Sequence, residues 1–258
     1  MSDTVTRDDA GGVATLTLQR PGLSSALRRD LLAAVGEVAA DDSVRAVLLT
    51  GTGRAFCVGQ DLAEHVESLR GNAATSLSVV EEEYNPLILT LAALHVPVVV
   101  AINGACAGAG LGIALAGDLR IAAAGAKLTT AFTGIGLSSD SALAARLVHC
   151  VGVSRATQLL LLPEPFLAET AAEWGLVHRV VPPEQVLPEA QALAARLAAG
   201  PTASYRAVKT VLATAATDSL EETLALEARL QTALGQTADH REAVEAFLAK
   251  RAPEFTGR

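Results

Sequence analysis

From Val96 to Gly117 the chain runs for 22 residues without a charge, as VPVVVAINGACAGAGLGIALAG. A stretch of that length either spans a bilayer or lies at the centre of a folded core. Pro97, Asn103 and five glycines interrupt it, and Asp118 and Arg120 follow at once, which argues against a spanning helix. The pattern predicts a buried β-branched strand over 98–102, a tight glycine turn and a buried helix opening near Ala109.

The flanking sequence fits the same kind of core. Val13 to Leu18 alternates as a half-buried strand, and Val44 to Thr50 reads as a buried strand closed by Gly51-Thr-Gly53. Ser24 or Ser25 can cap a helix carrying Leu31, Leu32 and Val35. A helix is predicted around Glu81–Leu94, and further strands at Leu119–Ala123 and Val177–Val181. Strands alternating with helices predict an α/β layer structure. Strands stop near Ala199-Gly200-Pro201, so the organisation is expected to change there, with a core over 1–199 and a helical region over 200–258. A helical tail with so little core of its own is expected to pack on something else, such as another subunit.

The formal charge of −8 comes without a clustered basic stretch, which excludes a duplex-binding surface and makes nucleic acid an unsuitable partner. A few Lys and Arg on one rim still suffice for a local phosphate. Cys57, Cys106 and Cys150 are odd in number and show no CxxC spacing. They point to a reducing compartment and to no structural zinc. The polar, acidic start MSDTVTRDDAGG is unlike a signal peptide, so a cytoplasmic location is expected.

Chemistry concentrates at two strand-to-turn junctions, Gly53-Arg-Ala-Phe-Cys-Val-Gly-Gln-Asp-Leu62 and Ile102-Asn-Gly-Ala-Cys-Ala-Gly-Ala-Gly-Leu-Gly112. Glycine lets backbone N–H groups face a ligand, and a helix N-terminus adds free donors with partial positive charge. Two such turns side by side can clamp one oxyanion. A dinucleotide site is the competing reading, but Gly108, Gly110 and Gly112 are spaced GxGxG, and the acidic residue expected about twenty positions on is missing. A third reading gives the glycines only a packing role.

GRAFCVGQDL, AINGACAGAGLGIALAGDLRIA, AFTGIGLSSDSALAARLV, AAEWGLVHRVV and AVEAFLAKRAPEF resemble the crotonase (enoyl-CoA hydratase/isomerase) superfamily, in its order and over almost the whole chain. The resemblance implies a crotonase-like spiral of ββα units, a C-terminal helical trimerisation region, and a homotrimer or dimer of trimers. It implies an acyl-CoA thioester as substrate, with coenzyme A part of that substrate and no separate cofactor. It also implies two oxyanion amides, assigned to Val58 and Ala109.

Hydratases of the superfamily hold a water with two glutamates, and by motif position these fall at Gly112 and Phe132, so neither is present. Asp140 is the carboxylate left in that segment. Here the chain is similar to the ring-1,2-epoxyphenylacetyl-CoA isomerase-like members, which implies an acyl-CoA isomerase moving one proton along the acyl chain. Asp140 is alternatively the cap of the helix that follows it. Hydration by a different base, and a non-catalytic acyl-CoA-binding member, stay open. For coenzyme A the resemblance implies Phe247 and Lys250 from a neighbouring subunit, Arg28 near the nucleotide end, and Ala55, Gln60, Asp61 and Leu62 in the first turn. Asp61 and Asp118 also read as local hydrogen-bonding residues. Glu64, His65 and Glu81–Glu83 border the acyl pocket in relatives, although the Glu run reads best as a solvated face. Cys57 reads as a small buried residue, and His95, His149 and His178 as core or surface histidines.

Overall fold

The computed structural model describes residues 3–258. Strands β1 (Val5–Ala10) and β2 (Val13–Leu18) form an antiparallel hairpin around Gly11-Gly12, with both glycines at positive φ as a two-residue hairpin turn demands. The hydrophobic pattern does not announce β1, because Val5 is its one buried residue and Arg7, Asp8 and Asp9 line the sheet edge. Charges there discourage pairing with another chain.

Helix α1 (Ser25–Ala39) is capped by the Ser24 hydroxyl, which accepts from the Leu27 N–H. It leads to β3 (Ala46–Gly51) and then to a short strand, β4 (Ala55–Cys57). After α2 (Leu62–Gly71) the chain passes through a π-helical turn, Val80–Tyr84, into α3 (Asn85–Ala93). Next come β5 (Val98–Ile102), β6 (Ala105–Ala107) and α4 (Ala109–Ala116), then β7 (Leu119–Ala123) and β8 (Lys127–Thr129). Helix α5 (Leu143–Leu161), β9 (Phe166–Leu167), α6 (Ala168–Glu173), β10 (Arg179–Val181) and α7 (Val186–Ala198) complete the layers.

One sheet has the order β1-β2-β3-β5-β7-β10, parallel from β2 onward, and the other the order β4-β6-β8-β9. Each long strand hands over to a short one in the second sheet (β3 to β4, β5 to β6, β7 to β8). The chain therefore winds as a spiral of strand–strand–helix units, as the resemblance implied. Strand β5 is buried along its whole length, and β3 up to its last residue. Parallel strands covered on both faces read as unbroken apolar runs.

Helices α8 (Thr202–Thr214), α9 (Leu220–Leu234) and α10 (Ala238–Leu248) follow the last strand. Lys209 of α8 reaches back to Asp118 at 2.6 Å, and the same carboxylate accepts the Val98 N–H. Asp118 is thus a local hydrogen-bonding residue. The three helices leave Leu212, Leu220 and Phe247 largely exposed, and a groove of about 650 Å³ lies between α8 and α9. No helix among the described residues is long and apolar enough to cross a membrane.

Candidate active site

The two glycine-flanked turns lie side by side. Strands β4 and β6 pair in parallel, with Ala55 opposite Ala105. Asn103 stitches the turns together: its Nδ2 donates to the carbonyls of Gly53 and Ala55, both at 3.1 Å, and its Oδ1 accepts the Gly51 N–H at 3.2 Å. A methyl group placed on Gly59 would lie 3.7 Å from the Ala109 nitrogen. At Gly110 an added methyl would come within 2.3 Å of the Cys57 carbonyl oxygen, so the first turn of α4 rests directly on β4. Only glycine permits that approach.

Backbone hydrogen bonds decide which amides can face a ligand. The Val58 N–H donates to the Pro21 carbonyl at 2.8 Å and is spent. The Gly59 N–H is drawn to the Cys57 sulfur. Leu23 pairs with this turn as a short parallel bridge, taking the Gly59 carbonyl and offering its own to Asp61. That leaves the Gln60 N–H without a hydrogen-bond partner among the described residues. The Ala109 N–H, first in α4 with no intrahelical acceptor, is also free. In the first turn it is therefore the Gln60 amide, not that of Val58, that is free to face a ligand. The missed signal was Pro21-Gly22-Leu23, which pairs alongside the turn before the helix begins.

Next to Asp140, Ser141 packs on α4 one helical turn further along, at Gly112. The segment Asp140–Ala142 packs onto α4 where a methyl on Gly112 would meet the Ser141 carbonyl oxygen at 2.6 Å. Residues 109 and 112 share a helix face and are separated by roughly 5 Å. Ser141 and Ala142 both hold positive φ, at 52° and 55°. Such strain costs on the order of 1–3 kcal/mol per residue and persists where surrounding packing imposes it. The Asp140 side chain makes no cap for α5. Its Oδ1 accepts the Ser141 hydroxyl at 2.7 Å, and its Oδ2 has no hydrogen-bond partner among the described residues. Burial raises its pKa, opposed in part by that hydroxyl. Phe132 contributes an apolar wall, its ring lying 3.8 Å from where a methyl on Gly108 would stand.

Three further expectations are corrected. Arg28 is 4 % exposed, and its guanidinium binds Glu83 and the Leu23 carbonyl, both at 2.5 Å, so it cannot serve a coenzyme A phosphate. The Asp61 carboxylate caps α2 by accepting from the Ala63 and Glu64 N–H groups, and is not free for coenzyme A. Of the Glu run, Glu81 and Glu82 are solvated but Glu83 turns inward onto Arg28. Glu64 accepts the Ser25 N–H at 2.8 Å. Burial pushes the Cys57 thiol up to about 12, which keeps it protonated and inert. Ala55 and Gln60 are half-buried beside the turn and Leu62 is exposed. Phe247, at 82 % exposure, and Lys250 stand on the surface at the end of α10.

Residues 8–258 match the sequence pattern of the enoyl-CoA hydratase/isomerase family. The chain belongs to that family. It is 43 % identical to the 1,2-epoxyphenylacetyl-CoA isomerase of Escherichia coli K12, over 96 % of each chain. It is 44 % identical to a Rhodobacter capsulatus protein assigned as an enoyl-CoA hydratase, over 99 % of this chain and 98 % of the other. A Mycobacterium abscessus crystal structure assigned as an enoyl-CoA hydratase/isomerase superposes with a TM-score of 0.97 at 49 % identity, covering 98 % of this chain and all of that one. Relatives thus carry both activities in their names. At Gly112 and Phe132 there is no carboxylate, and Ser141 occupies the space a side chain at 112 would need.

The Arg28 correction has a measurable consequence. Breaking a buried ion pair typically costs about 3–5 kcal/mol. With Glu83 partly exposed, Arg28→Met is expected to lower the urea midpoint at the lower end of that range. Binding of free coenzyme A, followed by calorimetry, is expected to stay unchanged. A selective loss of coenzyme A affinity would restore Arg28 to the ligand.

Proposed function

We propose that this family member is an acyl-CoA isomerase in which Asp140 carries one proton between carbons of the acyl chain. The supporting observation is Asp140 itself, a half-buried carboxylate with a raised pKa and a free Oδ2, next in the chain to Ser141, which packs on α4 at Gly112. The thioester carbonyl oxygen accepts from the Gln60 and Ala109 N–H groups. Negative charge that develops on that oxygen as a proton leaves carbon is held by two amides and by the positive end of α4. Asp140 Oδ2 takes the proton from one carbon, and the resulting dienolate takes it back at another. One carboxylate suffices because nothing is added from solvent.

Raised pKa and mechanism agree. A carboxylate near its reference of roughly 3.9 is a weak base at neutral pH, whereas a desolvated one accepts protons more readily. The acid limb of kcat/KM is expected above pH ~3.9 and to vanish in Asp140→Asn. The same shift affects stability with a fixed sign. A carboxyl whose folded pKa exceeds its unfolded value stabilises the fold below pH ~3.9, and that contribution is lost as pH rises through the folded value. Asp140→Asn is therefore expected to gain stability over the wild type between pH 4 and pH 7, read from urea midpoints.

The resemblance to the Escherichia coli isomerase extends the substrate class to aryl or epoxyaryl acetyl thioesters. The exposed apolar face of α8–α10 is proposed to be covered by other copies of the chain, placing Phe247 and Lys250 against a neighbour's coenzyme A. Turnover of a 3-enoyl-CoA in ¹⁸O-water tests the reaction type. A 2-enoyl-CoA without ¹⁸O is expected; no turnover of the 3-enoyl-CoA, together with conversion of a supplied 2-enoyl-CoA to a 3-hydroxyacyl-CoA carrying ¹⁸O, would make the enzyme a hydratase.

A further inference from the structure

An asparagine ahead of a glycine is normally a turn residue whose side chain bonds its own stretch of chain. Asn103 is used differently. Its three side-chain hydrogen bonds go to Gly51, Gly53 and Ala55, 48 to 52 residues away. They fall on the corner where the chain leaves β3 and enters β4, while Asn103 occupies the equivalent corner between β5 and β6. The two corners are in backbone contact. The Ala105 N–H donates to the Arg54 carbonyl at 3.3 Å, and a methyl on Gly104 would collide with that same oxygen.

What this staple secures is a short and irregular ladder. Strands β4 and β6 share the rungs Ala55–Ala105 and Cys57–Cys106, with a register shift between them. Between those rungs β4 therefore spends one residue more than β6. Rungs split by a bulge give little hold on register by themselves, and Asn103 pins the rung at the Ala55 end. Beyond the other end stand the two free amides, Gln60 shortly after β4 and Ala109 shortly after β6. A slip of one residue moves whatever follows by about 3.3 Å. No hydrogen-bond donor can shift that far and still serve the same oxygen.

We propose that Asn103 is the positioning residue of the oxyanion site: by joining the β3–β4 corner to the β5–β6 corner it sets the gap between the Gln60 and Ala109 amides. The inference rests on the reading of those amides as donors to the thioester oxygen, and adds what holds them to one target. Thr50 supplies the contrast. Its hydroxyl donates to the Ala101 carbonyl at 3.1 Å, which also ties β3 to β5, but along the long strands and short of the corners.

Phenylacetyl-CoA carrying ¹³C at the thioester carbonyl, bound to saturating protein, reports on the pair directly. Each donor to that oxygen weakens the C=O bond and lowers its infrared stretching frequency. The wild type is expected to shift the band below its position in water. Asn103→Ala is expected to lose about half of that shift, one donor of two. Asn103→Asp keeps an acceptor for the Gly51 N–H but turns an oxygen toward two carbonyls, and the same loss is expected. Thr50→Val is expected to lower the urea midpoint and keep the whole shift. A full shift in either folded Asn103 variant, or an equal loss in Thr50→Val, overturns the inference. An unshifted wild-type band overturns the amide pair and the inference with it. No turnover is required, so an enzyme that isomerises nothing loses the isomerase reading and leaves this test standing.

Discussion

Asp140→Asn is expected to lower the isomerisation of a 3-enoyl-CoA by two to four orders of magnitude, the usual contribution of a positioned general base, about 10²–10⁴-fold. Asparagine keeps the shape and can still accept the Ser141 hydroxyl at its oxygen, so the strained turn on α4 survives. What goes is the pair of electrons on Oδ2 that takes the proton. Thioester affinity is therefore expected to hold while kcat falls, the signature of a group that acts on the reacting atoms. Equal rates for the two proteins would take Asp140 out of the mechanism.

Gly110→Ala is expected to be nearly as damaging for a different reason. The added methyl would stand 2.3 Å from the Cys57 carbonyl oxygen and 2.8 Å from the Cys57 Cβ, both held by β4 and its pairing with β6. Neither neighbour is the free end of a side chain, so α4 must shift and carry the Ala109 amide with it. Loss of one oxyanion donor costs about 10²–10³-fold in kcat, and overpacking adds a stability loss of about 1–3 kcal/mol. The control is Gly36→Ala, in the last turn of α1, where an added methyl meets nothing within 4 Å. There the same substitution is expected to gain about 0.5–1 kcal/mol from helix propensity. A Gly110→Ala enzyme with wild-type kcat would show that the amide of residue 109 takes no part.

The long strands behind the site were plain in the sequence because they are apolar but for Arg120. Residues 98–102 and 119–123 were read with the bounds they have, since a doubly covered parallel strand must be hydrophobic on both faces. Strand β1 was not, because its residues answer to the edge and to water rather than to the core. The short strands of the second sheet are three residues or fewer, too brief for a period of two to show.

In the site, glycine spacing located both turns, and Asp140 followed from the missing carboxylates at 112 and 132. The choice between Val58 and Gln60 was beyond the sequence. Both amides belong to one turn, and what separates them is a long-range bond from Val58 to Pro21. Arg28 misled for a similar reason. The resemblance implied a place near the nucleotide for it, and only packing shows Glu83 and the Tyr84 ring closing over it.

The most direct test is a crystal structure of the enzyme with a bound acyl-CoA. The thioester oxygen is expected 2.7–3.1 Å from the amide nitrogens of both Gln60 and Ala109, about the distance an oxyanion hole requires. Asp140 Oδ2 is expected over the carbons that exchange protons. An oxygen held by any other pair of donors, or an Asp140 turned away from the acyl chain, would contradict the account.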